Sequence, residues 1–252
     1  MDPVRGHRNP RVADSARLHR ARERRERGRT LIEGPNLLDA ALEAGVRPQV
    51  VFALDGDDRT SLLSDQHGFE LVRVDNSALG RLAGTKTPRG PVAVIEIPTL
   101  PGGGDRGLLV AWGVSDPGNV GALIRTAAAF SWDFGHTLGT ADPWSPKVLR
   151  AGAGGHFRIG IRVVESVAGL EEVGFIAVAA TVDGGVPPSR LAPGLYAVLV
   201  GEEASGLPPG VVEDSAVTVT IPMPGGQESL NAAMAAGMIV YELSKPEGEG
   251  QG

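Results

Sequence analysis

Three stretches of the C-terminal half combine turn-forming glycines with carboxamides, carboxylates and one arginine, residue types that can grip and orient a polar substrate beside a loop-held ligand. In VSDPGNVGALIRTAAAF a strand ends near Asp116 and Pro117, Gly118 permits a tight turn, and Asn119 is placed to cap the following helix. Val120, Leu123, Ile124 and Ala127 form the apolar stripe of that helix, which leaves Arg125 on a flank beside Gly121, Ala122 and Ala129, where small side chains give a ligand room. In VLVGEEASGLPP a buried strand ends on Gly201, with Glu202, Glu203 and Gly206 in the loop beyond its carboxyl end. That edge is where open α/β sheets bind ligands. In TIPMPGGQESLNAAMAAGMIVYEL a strand and a Pro/Gly turn lead into a helix opening at Ser229 and Asn231, with Ser229 a ready N-cap. Each stretch alone is also ordinary turn chemistry. No GxGxxG follows a strand, so a dinucleotide fingerprint is not supported.

These stretches need a scaffold, and the apolar runs supply one. GLLVAWGV (107–114), GFIAVAAT (174–181), LYAVLVG (195–201) and AVTVTIPM (216–223) read as buried strands, with helices over 118–130 and 229–243. Continuous apolar strands separated by helices predict a parallel sheet covered on both faces. The first half reads as a smaller alternating α/β unit. Its strands are QVVFAL (49–54), ELVRV (70–74) and VAVIEI (92–97); helical material follows GPN (34–36) and surrounds 61–65 and 76–82. A basic helix over 11–29, with Asp14 or Ser15 as its N-cap, precedes it. The expected layout is a first domain over 1–98, a Pro/Gly linker over 99–107, a second domain over 108–245 and a tail over 246–252.

Composition narrows the function classes. With 42% hydrophobic and 21% charged residues the chain has apolar material enough for folded cores. No apolar run approaches the roughly 20 residues needed to span a bilayer, and MDPVRGHRNP lacks a leader's apolar stretch, so a cytoplasmic protein without a membrane partner is expected. The absence of cysteine removes disulfides, thiolate metal sites and a catalytic thiol, and five scattered histidines give no metal-binding spacing. The net charge of −6 conceals an asymmetry: residues 1–29 hold ten arginines and four acids, whereas the remainder has 14 basic against 26 acidic residues. A nucleic-acid partner would meet the basic end, because phosphate binding depends on cations.

DPGNVGALIRTA, WSPKVLRAGAG, VGEEASGL and IPMPGGQESLN, in that order, resemble the SpoU/TrmH family of the SPOUT superfamily, RNA 2′-O-ribose methyltransferases, over most of 108–243. NPRV and LIEGPNLLDAALEAG are more loosely similar to the family's ribosomal-protein-like α/β/α substrate domain. The resemblance implies an α/β fold whose C-terminal parallel-sheet domain carries a deep trefoil knot, an S-adenosylmethionine cofactor, and a homodimer with a site drawn from both subunits. Matched position by position, it assigns catalysis to Asn119, Arg125, Glu203, Ser229 and Asn231, and the cofactor to Thr181, Gly201, Ile221, Met223 and Leu230. The chain departs from the pattern at Gly152, where the family has serine, at Glu202 in place of asparagine, and at Ser131 in place of glycine. Charge and resemblance together place RNA phosphates on Arg17, Arg20, Arg24, Arg25, Lys147 and Arg150, with 23S ribosomal RNA the expected substrate and no metal involved. The rival readings are a transfer-RNA 2′-O-methyltransferase, a non-catalytic knotted RNA-binding or ribosome-assembly protein, and a small-molecule enzyme on a Rossmann-like fold.

Overall fold

The basic N-terminal segment folds as two short helices rather than the single helix its composition predicts. Asn9, not Asp14 or Ser15, caps α1 (Pro10–Ala16), accepting the Arg11 N–H at 3.0 Å, with Pro10 supplying a preset φ in the first turn. A 3₁₀ turn (Arg17–His19) and an extended Arg20 then break the run before α2 (Ala21–Arg27). The break lets Val12 and Leu18 enter one core, which a straight charged helix could not do. The structure is a computed structural model, and residues 9–85, 87–88, 90–100, 106–225 and 229–246 are described. The middle of the expected linker (101–105), residues 226–228 of the third motif and all but the first residue of the tail lie outside them.

The chain forms two compact units. One comprises Met1–Pro98 and Asp142–Phe157; the other comprises Thr99–Ala141 and Arg158–Gly252. In the first, β1 (Arg29–Glu33), α3 (Pro35–Glu43), β2 (Val50–Leu54), α4 (Asp58–His67), β3 (Glu70–Val74), α5 (Asn76–Ala83) and β4 (Val92–Glu96) build a mixed sheet of order β1-β4-β2-β3. β2 and β3 are parallel, and β4 is antiparallel to both of its neighbours. Asp57 and Asp75 cap α4 and α5 through the N–H groups of Thr60 and Ala78. Side chains alternate across this sheet. Leu31, Phe52, Val92 and Val94 join Val12, Leu18 and Leu79 on one face, while Ile32, Val51, Ala93 and Ile95 meet Leu37 and Leu38 on the other.

The second unit begins with β5 (Leu108–Ala111), α6 (Pro117–Ala129) and β6 (Asp133–His136). The chain then gives residues 142–157 to the first unit, where α7 (Pro146–Gly152) and the turn after it pack Leu149 and Phe157 into the Ile32–Ile95 face. Buried His156 donates from Nε2 to the Pro143 carbonyl at 2.9 Å and lies 5.4 Å from the Trp144 ring. β7 (Ile161–Val163), α8 (Val167–Glu172), β8 (Ile176–Thr181), β9 (Tyr196–Val200), α9 (Pro209–Glu213), β10 (Val217–Thr220) and α10 (Ala232–Leu243) complete the second unit. Its six strands are all parallel, in the order β10-β8-β9-β5-β6-β7. β5 and β9 are buried throughout at its centre, as continuous apolar runs require. Strand order reverses where β5 lies between β9 and β6, so the loops leaving β5 and β9 open side by side at the carboxyl edge.

Candidate active site at the carboxyl edge of the second sheet

The loop after β5 turns into α6 through Asp116, whose Oδ1 accepts the Asn119 N–H at 2.9 Å. Asp116 is therefore the N-cap, and Asn119, expected in that place, sits in the first helical turn with its carboxamide released for other work. The cap of α10 is likewise Asn231 rather than Ser229: Asn231 Oδ1 accepts the N–H groups of Ala233 and Met234, both at 3.1 Å. Its Nδ2 donates to Asn119 Oδ1 at 3.0 Å and to Glu203 Oε1. A single carboxamide thus opens a helix with its oxygen and joins the first turn of α6 to the loop after β9 with its nitrogen. The neighbouring Glu202 performs a second tie, its Oε2 accepting the Ser115 N–H at 2.8 Å.

Beside this cluster lies a cavity of about 520 Å³, within the size range of small-molecule sites. Thr181, Gly201, Leu207, Ile221, Met223, Ser229 and Leu230 are among the residues that line it. All five residues expected to hold the cofactor, Thr181, Gly201, Ile221, Met223 and Leu230, line it. Gly201 has no room for a side chain: a Cβ there would come within 2.2 Å of the Gly206 backbone, because the loop folds back with the Gly206 N–H on the Glu202 carbonyl at 2.8 Å. An apolar body with a polar, loop-built rim suits an adenosine moiety bearing an amino-acid tail, so the residues present fit S-adenosylmethionine. Glu203 belongs both to the cavity lining and to the carboxamide cluster.

The structure brings together Asn119, Glu203 and Asn231, and puts Ser229 in the cavity wall. Arg125 stands apart. It follows Asn119 by about 1.7 helical turns, is exposed, and has no hydrogen-bond or ion-pair partner among the described residues. Sequence reading overlooked Ala232, Ala235 and Ile239, which line the cavity from α10 at one helical face and could have been found by that spacing.

The basic candidates divide. Arg24 is 3% exposed, its Nε on Asp142 at 3.0 Å and Nη1 on the Leu18 and His19 carbonyls, so it is a buried structural ion pair and not a phosphate ligand. Arg150 bonds Glu33 at 2.9 Å and Arg17 lies between Asp14 and Glu23. Among the described residues, Arg20, Arg25 and Lys147 are exposed and make no ion pair.

Comparison with known proteins decides the family. Residues 107–241 match the model of the SpoU rRNA methylase family, and residues 9–93 match that of the MRM3-like substrate binding domain. The chain belongs to the SpoU rRNA methylase family. It is 31% identical to the 23S rRNA (guanosine(2553)-2′-O)-methyltransferase RlmP of Bacillus subtilis, over 96% of this chain and 99% of that protein. Among solved structures, the AdoMet-bound rRNA methyltransferase from Sinorhizobium meliloti superposes with a TM-score of 0.82 at 25% identity, covering 96% of this chain and 97% of that one. The SpoU methyltransferase AviRb from Streptomyces viridochromogenes, in complex with AdoMet, gives 0.84 at 25% identity over 94% and 97%. Within the SpoU pattern, the three departures have local consequences. Glu202 secures the Ser115 N–H, Ser131 takes a left-handed φ of 58° that the usual glycine would hold without strain, and Gly152 ends α7 before Ala153 at φ 48°.

Proposed function

We propose that this SpoU-family chain transfers a methyl group from S-adenosylmethionine to a ribose 2′-hydroxyl of 23S ribosomal RNA. The observation that carries the reading is the position of Glu203, in the wall of the cofactor-sized cavity and hydrogen-bonded to Asn231, which in turn bonds Asn119. When bound, S-adenosylmethionine supplies a sulfonium-activated methyl to the ribose oxygen. The chain's task is to hold that oxygen in line, an arrangement worth about 7 to 11 kcal/mol of a barrier when complete. The Asn119 carboxamide, its Oδ1 held by Asn231 Nδ2, orients it through its own Nδ2, while Asn231 is spent on Asn119, Glu203 and the α10 backbone and holds that carboxamide in place. A guanidinium is a hydrogen-bond donor and not a general base, so Arg125 does not take the hydroxyl proton. It clamps a phosphate or the oxygen as negative charge develops, and the hydroxyl proton leaves late, to water. Within one chain Glu203 is engaged by Asn231 and not by Arg125.

The same reading carries a deep trefoil knot in the second unit, a cytoplasmic location and a homodimer whose site draws on both copies. In its support, Met234, Met238 and Tyr241 stand half exposed at helical spacing on one face of α10, and α10 packs on α6, which presents Arg125. Among the described residues no helix is long and apolar enough to cross a membrane, and no group of three acidic or histidine side chains could hold a metal.

Calorimetry with S-adenosylmethionine, followed by transfer of labelled methyl to 23S rRNA from cells lacking the enzyme and mapping of 2′-O-methyl sites, tests the proposal. Cofactor binding and one new 2′-O-methyl nucleotide are expected. No binding at millimolar cofactor, or methylation on a base instead of a ribose, overturns it.

A further inference from the structure

A second cleft, of about 450 Å³, lies wholly within the first unit and is walled by Arg17, Arg20 and Arg81 with Pro10, Ala13 and Asp14. The three guanidinium groups come from three different local structures: the 3₁₀ turn, the extended residue after it, and the last turn of α5. Their spacing is fixed from below. Val12 and Leu18 share one buried cluster with Ala78, Leu79 and Leu82 of α5, and His19 Nε2 donates to the Leu82 carbonyl at 2.9 Å. Gly84, which ends α5 at a φ of 68°, lies so close to His19 that a Cβ would approach its ring to 2.8 Å. α1, the 3₁₀ turn and α5 therefore hold one geometry before any ligand arrives.

One carboxylate lines the cleft, and it is committed elsewhere: Asp14 accepts Arg27 Nη1 on both oxygens at 3.0 Å, while Arg17 lies 3.9 Å from Asp14 and 3.7 Å from Glu23. Arg20 is exposed and has no ion-pair partner among the described residues. An open, preorganised concavity with three planar forks, that of Arg20 without an ion-pair partner among the described residues, matches an anion with several equivalent oxygens. We propose that this cleft seats a backbone phosphodiester of the RNA substrate, with Arg81, which the charge of the N-terminal segment does not point to, as its third ligand. The proposal rests on the RNA-methyltransferase reading. It also explains the break at Arg20, since in a continuous helix over 11–29 Arg20 would have continued the row of Arg17 and Arg24 instead of turning to face α5.

Binding of a 23S rRNA fragment to the full-length chain, measured across a salt series, tests the assignment. Arg81→Gln and Arg20→Gln are each expected to weaken binding roughly three- to tenfold at moderate salt. Each should also flatten the slope of log affinity against log salt by about 0.7 to 0.9. Arg81→Lys should keep the slope, and Arg59→Gln, which removes from α4 a charge paired with Asp39 of α3, should change neither quantity. Calorimetry with S-adenosylmethionine separates the two readings: failure of cofactor binding in the wild type strikes the enzymatic assignment, whereas normal cofactor binding with unchanged RNA affinity in Arg81→Gln overturns the cleft. Weaker RNA binding with an unaltered salt slope also overturns it, because Arg81 then supports the fold and touches no phosphate. Polyglutamate competing as well as polyuridylate would overturn it in favour of an acidic protein partner.

Discussion

Asn231 concentrates three tasks in one side chain, and its substitutions should separate them. Asn231→Ala removes the α10 cap at a cost of about 1 kcal/mol and also frees Asn119 and Glu203. Asn231→Asp keeps an acceptor for the Ala233 and Met234 N–H groups but sets a carboxylate against Glu203. Its melting temperature should therefore stay near that of the wild type while kcat falls by roughly 100-fold or more. A variant that lost stability and activity in proportion would reduce Asn231 to a cap. For Arg125, which is exposed and has no partner among the described residues, Arg125→Lys should lower kcat at least about tenfold with cofactor affinity unchanged, since an ammonium cannot reproduce the fork. His156 sets a pH limit. Burial holds its pKa at about 4, against an ordinary 6.5, with the hydrogen bond to Pro143 opposing the shift. Between those values the unfolded chain takes up a proton that the folded chain refuses, so stability is complete above about pH 6.5 and falls, by about 3 kcal/mol in all, as pH drops toward 4. Urea midpoints at pH 7 and 5 should show this loss, and His156→Phe should diminish it.

The helices and strands were readable from the sequence wherever burial is periodic. β3 starts and ends at Glu70 and Val74 as the apolar alternation predicts, and β5 and β9 stand within their continuous apolar runs. The misplaced helix caps share a cause: a polar side chain competing for a backbone N–H. Asp116 outranks Asn119 and Asn231 outranks Ser229, choices that depend on which carboxylate or carboxamide the tertiary fold leaves free. β6 escaped because Asp133, buried and bonded to the Gly160 N–H and Arg162, looks like a surface residue until β7 is beside it. The cavity residues on the loops were found only through resemblance, because glycines and single carboxylates carry little periodic signal. Two tests address the termini of these segments. Ser131→Gly should raise stability by about 1 kcal/mol in thermal or urea unfolding, as it relieves a left-handed backbone after α6. Glu202→Ala, by releasing the Ser115 N–H, should lower kcat by roughly tenfold, whereas Glu202→Gln still presents an acceptor and should keep most of it.

Charge is distributed so that a single figure for the chain misinforms: the first 29 residues carry the surplus arginines of a protein that is otherwise acidic. Truncation of that segment is nevertheless a poor probe of RNA binding, because Val12, Leu18 and Arg24 are buried parts of the first unit, and their removal should unfold it. Single exposed arginines make the cleaner experiment. The proposed homodimer is tested on the exposed face of α10: a dimer in wild-type sedimentation, and a monomer without methyl transfer but with intact far-ultraviolet circular dichroism in Met238→Glu, are expected.

The return of residues 142–157 to the first unit has a consequence in time. A chain emerging from the ribosome has made every strand of the first sheet by Glu96, yet the side chains that close its second face, Leu149 and Phe157, are still some 50 residues from synthesis. Domains otherwise tend to fold as they emerge. Here the first unit waits with the Ile32, Val51 and Ile95 face covered by Leu37 and Leu38 of α3 but not yet by Leu149 and Phe157, until β5, α6 and β6 of the second have been translated. Pulse proteolysis of stalled nascent chains should find the first unit sensitive when stalled after residue 98 and protected once Phe157 has cleared the exit tunnel.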